Sequence, residues 1–178
     1  DIDYRITTTA PTTLQVTNGI CFNLSGDMHR SILKQHLWLD THYTNKLDKE
    51  QFPTNELQKT RLTPFDFTQP REIGERIKAT INGYYHAFQL RHPDNMQKPA
   101  AILFDAQSGR AMTIYSSEPT LCINTYGKES CGISLQPLHS GYNSGMEKIN
   151  NELLPGQVFH GATVFFFTTD PPLIMRTK

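Results

Sequence analysis

The chain has 178 residues, 37% of them hydrophobic and 10% aromatic, which is enough to bury the core of one ordinary domain. Seventeen Lys and Arg balance seventeen Asp and Glu, and a formal charge of zero gives no long-range pull toward nucleic acid or an anionic membrane surface. The longest apolar run, residues 162–167 with Thr163 counted in, is far too short to span a bilayer as a helix, so no membrane segment is expected.

Residues 1–16 alternate in places (Tyr4 and Ile6, then Leu14 and Val16), are rich in Thr and are split by Pro11, which predicts two short strands. Ile20-Cys21-Phe22 then runs into Asn23-Leu24-Ser25-Gly26, a strand leaving into a turn. Residues 36–39 predict a strand; residues 40–54 are polar, end in Phe52-Pro53-Thr54 and read as a strand end plus loop. Pro64 interrupts residues 62–67, an edge or irregular segment. Residues 72–81 predict one short helical turn, since Ile73 and Ile77 sit four apart.

Residues 84–90 alternate as a strand, and residues 100–104 and 110–116 flank Asp105-Ala106-Gln107-Ser108-Gly109 as a hairpin. Residues 120–126 and 132–138 are two further strands around residues 127–130, and residues 158–168 form the last, β-branched and aromatic throughout. Phe165-Phe166-Phe167 within it reads as core and cross-strand packing rather than a platform for a sugar. Short apolar segments punctuated by Gly, Pro, Asn and Asp, with no repeat or linker, predict one all-β unit with little helix.

Few residues suggest chemistry on their own. Cys21, Cys122 and Cys131 make no CxxC pair and read as buried free thiols, although an odd count leaves room for one bond to another chain. His29, His36 and His42, spaced by seven and six, put no pair on one strand face, so neither a metal site nor a cofactor is expected. Gly141-Tyr142-Asn143-Ser144-Gly145 is no nucleophile elbow, and Gly127-Lys128-Glu129 lacks the rest of a phosphate loop. Cys131 has no framed His beside it and reads as a structural thiol. Asn23-Leu24-Ser25 is a formal glycosylation sequon, but Asn23 is read as a buried structural residue. The chain starts at Asp1 without Met or a signal peptide, which reads as a mature or cleaved piece. With the odd Cys count and the sequon, a secreted or extracellular location is expected, otherwise a cytoplasmic one.

Thr17-Asn18-Gly19-Ile20-Cys21-Phe22-Asn23-Leu24 resembles the Thr-Asn-His-Ser-Tyr-Phe-Asn-Leu signature of the aldose 1-epimerases, the galactose mutarotases. Further matches follow in order. Phe52-Pro53-Thr54-Asn55-Glu56 is similar to the family's Ile-Pro-Thr-Gly-Glu, and Thr63-Pro64-Phe65-Asp66-Phe67 to its Thr-Pro-Phe-Asp-Phe. Ser108-Gly109-Arg110, Ser117-Glu118-Pro119 and Leu154-Pro155-Gly156-Gln157 continue the series, so the resemblance runs from Asp1 to Thr169. It implies a large, twisted antiparallel β-sandwich, of which residues 1–178 are the C-terminal half. A half sandwich exposes strand edges and a cut core face, so a second chain is expected, most simply the N-terminal half of the same precursor; a homodimer is the weaker option.

The resemblance also implies where the family's chemistry would sit. Its acid, a His, falls at Gly19, and its base, a Glu, at Gln136 within Leu135-Gln136-Pro137-Leu138-His139. Its sugar-binding Asp falls at Tyr85 within Gly83-Tyr84-Tyr85-His86-Ala87-Phe88. Mutarotation needs one group to take the anomeric proton and another to protonate the ring oxygen; Gly cannot do the second, and an amide can hydrogen-bond a sugar without taking its proton. No catalytic residue is therefore expected, and Tyr85, His86, Gln136 and His139 are the ligand-binding candidates. For His86 and His139 a structural role is preferred over service as a substitute acid or base, because the partner carboxylate of the family motif is gone.

Three functions are consistent with these residues: a degenerate mutarotase-like protein that binds a sugar or small ligand or serves assembly, a working aldose 1-epimerase, and a storage or matrix-type protein.

Overall fold

The computed structural model describes residues 1–50, 52–140 and 149–176. The stretch 141–145 considered above as an elbow lies outside them. The described residues form fourteen strands: β1 (Ile2–Ile6), β2 (Thr12–Thr13), β3 (Cys21–Phe22), β4 (His36–Leu39), β5 (Thr41–Leu47), β6 (Pro53–Lys59), β7 (Arg71–Glu72), β8 (Tyr85–Leu90), β9 (Ala101–Asp105), β10 (Arg110–Ser116), β11 (Thr120–Asn124), β12 (Ile133–Leu138), β13 (Glu152–Leu153) and β14 (Phe159–Thr168). Every pairing is antiparallel. One six-stranded sheet runs β1-β14-β10-β9-β4-β7, a second runs β3-β12-β11-β8-β5-β6, and β13 with β2 makes a two-stranded ribbon.

The two large sheets meet over a single apolar core. Leu37, Leu39, Leu103, Met112 and Ile114 from the first face Phe88, Leu121, Ile123, Ile133 and Leu135 from the second, all at most 1% exposed. Removing each such side chain from water contributes roughly 1.5–3 kcal/mol, which makes this layer the main favourable term holding the sandwich together. The all-β sandwich expected from the sequence is what the chain forms.

Residues 17–26 act as a clamp between the sheets. The Asn23 side-chain amide donates to the carbonyls of Arg30 (2.7 Å), Cys131 (2.8 Å) and Asp27 (3.2 Å), and its Oδ1 accepts from Ser25 N (3.0 Å). The Leu24 carbonyl accepts from Ser108 Oγ (2.8 Å) and Arg110 Nη1 (3.2 Å), which ties the segment to the β9–β10 hairpin. Asn23 is half-buried rather than buried, with its amide committed to three carbonyls.

Four expectations need correction. Residues 40–54 do not run as a strand end plus loop: β5 and β6 pair with each other, and β5 sits beside β8. Hydropathy hid β5 because its buried side chains are polar and bond across the strands. Thr41 Oγ1 donates to the Gln89 carbonyl (2.6 Å), Thr44 Oγ1 to the Ala87 carbonyl (2.9 Å), and Asn45 Oδ1 accepts from Ala87 N (2.7 Å). Residues 72–81 form two 3₁₀ turns, Ile73–Glu75 and Ile77–Ala79, after the short β7. Their Ile73 and Ile77 are buried, so core packing holds them rather than α-helical propensity.

Of the three thiols, Cys21 and Cys131 are exposed and only Cys122 is partly covered; all three are free. Phe165 packs on the core, but Phe166 and Phe167 are 56% and 57% exposed. The reason lies in the strand pairing. β14 pairs with β1 over residues 159–163 and with β10 over residues 163–168, so no described strand covers the other edge of residues 164–168.

Candidate functional site

Strand register sorts the candidate residues onto two faces of the second sheet. Tyr85, Asn124 and Ser134 lie side by side across β8, β11 and β12, as do Ala87, Cys122 and Gln136, and then Gln89, Thr120 and Leu138. Directly paired residues of antiparallel strands point to one face, so these three rows share a surface. The alternate rows, His86 with Ile123 and Leu135, and Phe88 with Leu121 and Pro137, face the core.

The first surface floors a cleft of about 320 Å³, lined among others by Gln15, Asn45, Leu57, Tyr85, Gln89, Thr120, Cys122, Leu138, Ser140 and Asn151. Tyr85 stands 51% exposed at its mouth. Gln136 is half-buried beside Cys122. Thr120 Oγ1 is buried with no hydrogen-bond partner among the described residues. Burial pushes the Cys122 thiol up to about 11, so it stays a neutral thiol at physiological pH. No Asp, Glu, Lys or Arg lines the cleft among the described residues. The chemistry on offer is hydrogen bonding by amides and hydroxyls over an apolar floor, the composition suited to an uncharged polar ligand.

The structure thus brings Tyr85 and Gln136 to one surface and leaves both histidines off it. His86 touches the cleft wall, but its ring stacks on Phe65 with centroids 4.2 Å apart, and its Nδ1 accepts from Tyr85 N (3.2 Å). Burial pushes its pKa down to about 4, so it is a neutral core imidazole. Gly83, at the head of the same motif, adopts φ +78°, and a Cβ there would run into the Gly127 carbonyl; only glycine fits where the chain enters β8.

His139, one residue beyond β12, turns away from the cleft, with Nδ1 3.2 Å from Glu118 Oε2. In the sequence Glu118 stands out only as part of a motif match, and nothing in its spacing twenty-one residues from His139 signals the contact. Gly19 sits at φ +65° with open space around its Cβ position, and Asn18 Oδ1 accepts from Ile20 N (3.0 Å) across the turn. A histidine side chain there would have room but would hold a left-handed backbone that L-residues avoid. Among the described residues no three potential metal ligands cluster.

Residues 1–165 match the family model described as aldose 1-epimerase. Similar curated proteins include a galactose mutarotase from Sus scrofa, 26% identical over 184 residues, covering 94% of this chain and 53% of that protein. An aldose 1-epimerase from Escherichia coli is 29% identical over 126 residues, covering 67% of this chain and 36% of that protein. Among solved structures, an aldose epimerase homologue from C. elegans superposes with a TM-score of 0.79 at 16% identity, over 93% of this chain and 55% of that one. A galactose 1-epimerase from Lactobacillus acidophilus superposes with a TM-score of 0.72 at 20% identity, over 93% of this chain and 52% of that one. These structural likenesses concern the fold. The chain spans about half the length of the galactose mutarotases it matches.

Proposed function

This chain belongs to the aldose 1-epimerase family, and on that premise we propose that it is a catalytically degenerate member whose cleft holds a sugar or a similar small uncharged ligand. The observation that carries the reading is the cleft surface itself. Its polar side chains are amides and hydroxyls (Gln15, Asn45, Gln89, Thr120, Ser140, Asn151), with Gln136 in register beside them. The two groups on its wall that titrate near neutrality in water, an imidazole and a thiol, are both held neutral, His86 at about 4 and Cys122 at about 11.

General acid and general base each contribute on the order of 10²–10⁴ to such a reaction. With Gly19, Gln136 and Tyr85 at the positions the resemblance gives to the acid, the base and the hydroxyl-binding carboxylate, little rate above the spontaneous one is expected. Hydrogen bonding is less affected: Gln136, Tyr85 and Thr120 can all donate and accept.

The proposal extends to a second chain, the N-terminal half of the same precursor. Supporting it are the half-length match, the open edge of residues 164–168 and the exposed Phe166 and Phe167 beside that edge. Calorimetry on the native protein with any co-purifying chain, titrated with methyl β-galactoside and methyl β-glucoside, tests the binding claim. The expected result is a saturable heat that Gln136→Ala weakens about fivefold, the effect of one lost hydrogen bond of ~1 kcal/mol. No heat with either glycoside would leave an assembly or storage role as the better reading.

A further inference from the structure

A carboxylate and an imidazole meet away from the cleft. Glu118, in the turn between β10 and β11, is 6% exposed, and its Oε2 lies 3.2 Å from His139 Nδ1. Its Oε1 takes a hydrogen bond from Ser117 Oγ (3.4 Å) and faces Gly161 of β14, where any Cβ would run into it. Its own N–H donates to Ser116 Oγ (3.0 Å). The fold keeps room for a buried carboxylate here and gives it an imidazole as partner.

The His139 ring stands edge-to-face on Phe159, centroids 4.8 Å apart, and borders a second cavity of about 380 Å³. That cavity is lined by Leu14, Asn150, Asn151, Glu152, Leu153, Gln157 and Val158 as well. Among the described residues it shares Asn151 alone with the cleft.

We infer that Glu118 and His139 form an oriented carboxylate–imidazole pair serving a second ligand site in this cavity, for a small uncharged molecule bearing hydroxyls. Nδ1, 3.2 Å from Glu118 Oε2, holds the ring in one orientation and leaves Nε2 as the atom to hydrogen-bond a ligand hydroxyl. Glu118 does for His139 what a carboxylate does behind a metal-bound histidine: it holds the ring in place and settles which nitrogen is left for the ligand. The amides of the cavity suit hydroxyls, while Phe159, Val158 and Leu153 suit the C–H face of a polyol. Glu152 and Glu118 disfavour an anion, and no Lys or Arg lines the cavity among the described residues. The site stands on these contacts and does not depend on the cleft being occupied.

The test is ¹⁵N and ¹H NMR of the histidine-labelled and selectively methyl- and amide-labelled protein, with glycerol and methyl β-galactoside as probes. The expected result is an Nδ1 proton on His139 held in a hydrogen bond to Glu118, with the Nε2 signal moving saturably as either probe is added. Glu118→Ala, whose fold is checked by thermal melting, should free the ring and weaken the probe response about tenfold. His139→Gln should keep the fold and remove the response. An Nδ1 without that hydrogen bond in the native protein, or an Nε2 signal that neither probe moves, would overturn the inference and leave the pair as a structural clasp. Gln136 side-chain signals report the cleft independently, so a probe that moves Gln136 and not His139 supports the cleft reading while sinking this one.

Discussion

The two faces of the sheet built from β8, β11 and β12 differ by one residue of register and carry opposite chemistry. On the cleft side, Tyr85, Ala87 and Gln89 stand beside Asn124, Cys122 and Thr120, a surface of hydroxyls, amides and one thiol. On the core side, His86 and Phe88 stand beside Ile123 and Leu121, all at most 6% exposed. The same strand thus presents an uncharged binding surface and a stabilising layer, and its one histidine belongs to the second. A histidine next to the position that the resemblance gives to a sugar-binding Asp invites a catalytic reading; the pleat puts its ring on the core side, where burial keeps it neutral.

Substitutions one residue apart should break the comparison if it is wrong. Leu135→Ala, in the core row, should cost about 2–5 kcal/mol in denaturant unfolding, the transfer and cavity cost of a fully buried leucine. Gln136→Ala, its neighbour in the cleft row, should change stability by less than about 0.5 kcal/mol. Equal losses at the two positions would mean that the faces are not distinct.

Acid should expose His86 next. Its folded pKa of about 4 lies below the ordinary 6.5, so the unfolded chain binds its proton first as the pH falls. Stability from this group is complete above pH ~6.5 and is lost progressively toward pH ~4, on the order of 3 kcal/mol in all. Unfolding free energies measured across that range should slope for the native protein and slope less for His86→Gln by about that amount. Parallel slopes would place the imidazole in solvent.

A smaller loss than at His86 is expected in the polar strand beside β8. Thr44→Val keeps the shape but removes the hydrogen bond from the buried Thr44 hydroxyl to the half-buried Ala87 carbonyl, and should cost roughly 1 kcal/mol in the same assay. No loss would mean that β5 is held by backbone pairing alone.

The hairpins were legible because their apolar residues alternate and their turns end in glycine or small polar residues: β9–β10 around Gly109 and β11–β12 fell where the sequence put them. β5 was not legible, because Thr41, Thr44 and Asn45 satisfy themselves by cross-strand hydrogen bonds that no hydropathy pattern records. β13 is two residues long, too short for any period to register, whereas the equally short β2 falls within the second strand read in residues 1–16. Tyr85 and Gln136 were found through motif resemblance, and register then put them on one surface. Glu118 escaped because its partner His139 is brought to it only by the turn of β10 into β11 and the end of β12. Nor could the sequence tell that Phe166 and Phe167 would lie beside an open edge, since that depends on how far β1 reaches along β14.

The most direct test is polarimetry on freshly dissolved α-glucose and α-galactose, with the native protein and any chain that accompanies it. A cleft without a working acid or base predicts an anomerisation rate equal to that of buffer. A rate well above buffer that Gln136→Ala abolishes would contradict the account, because the cleft would then move protons that amides and hydroxyls leave in place.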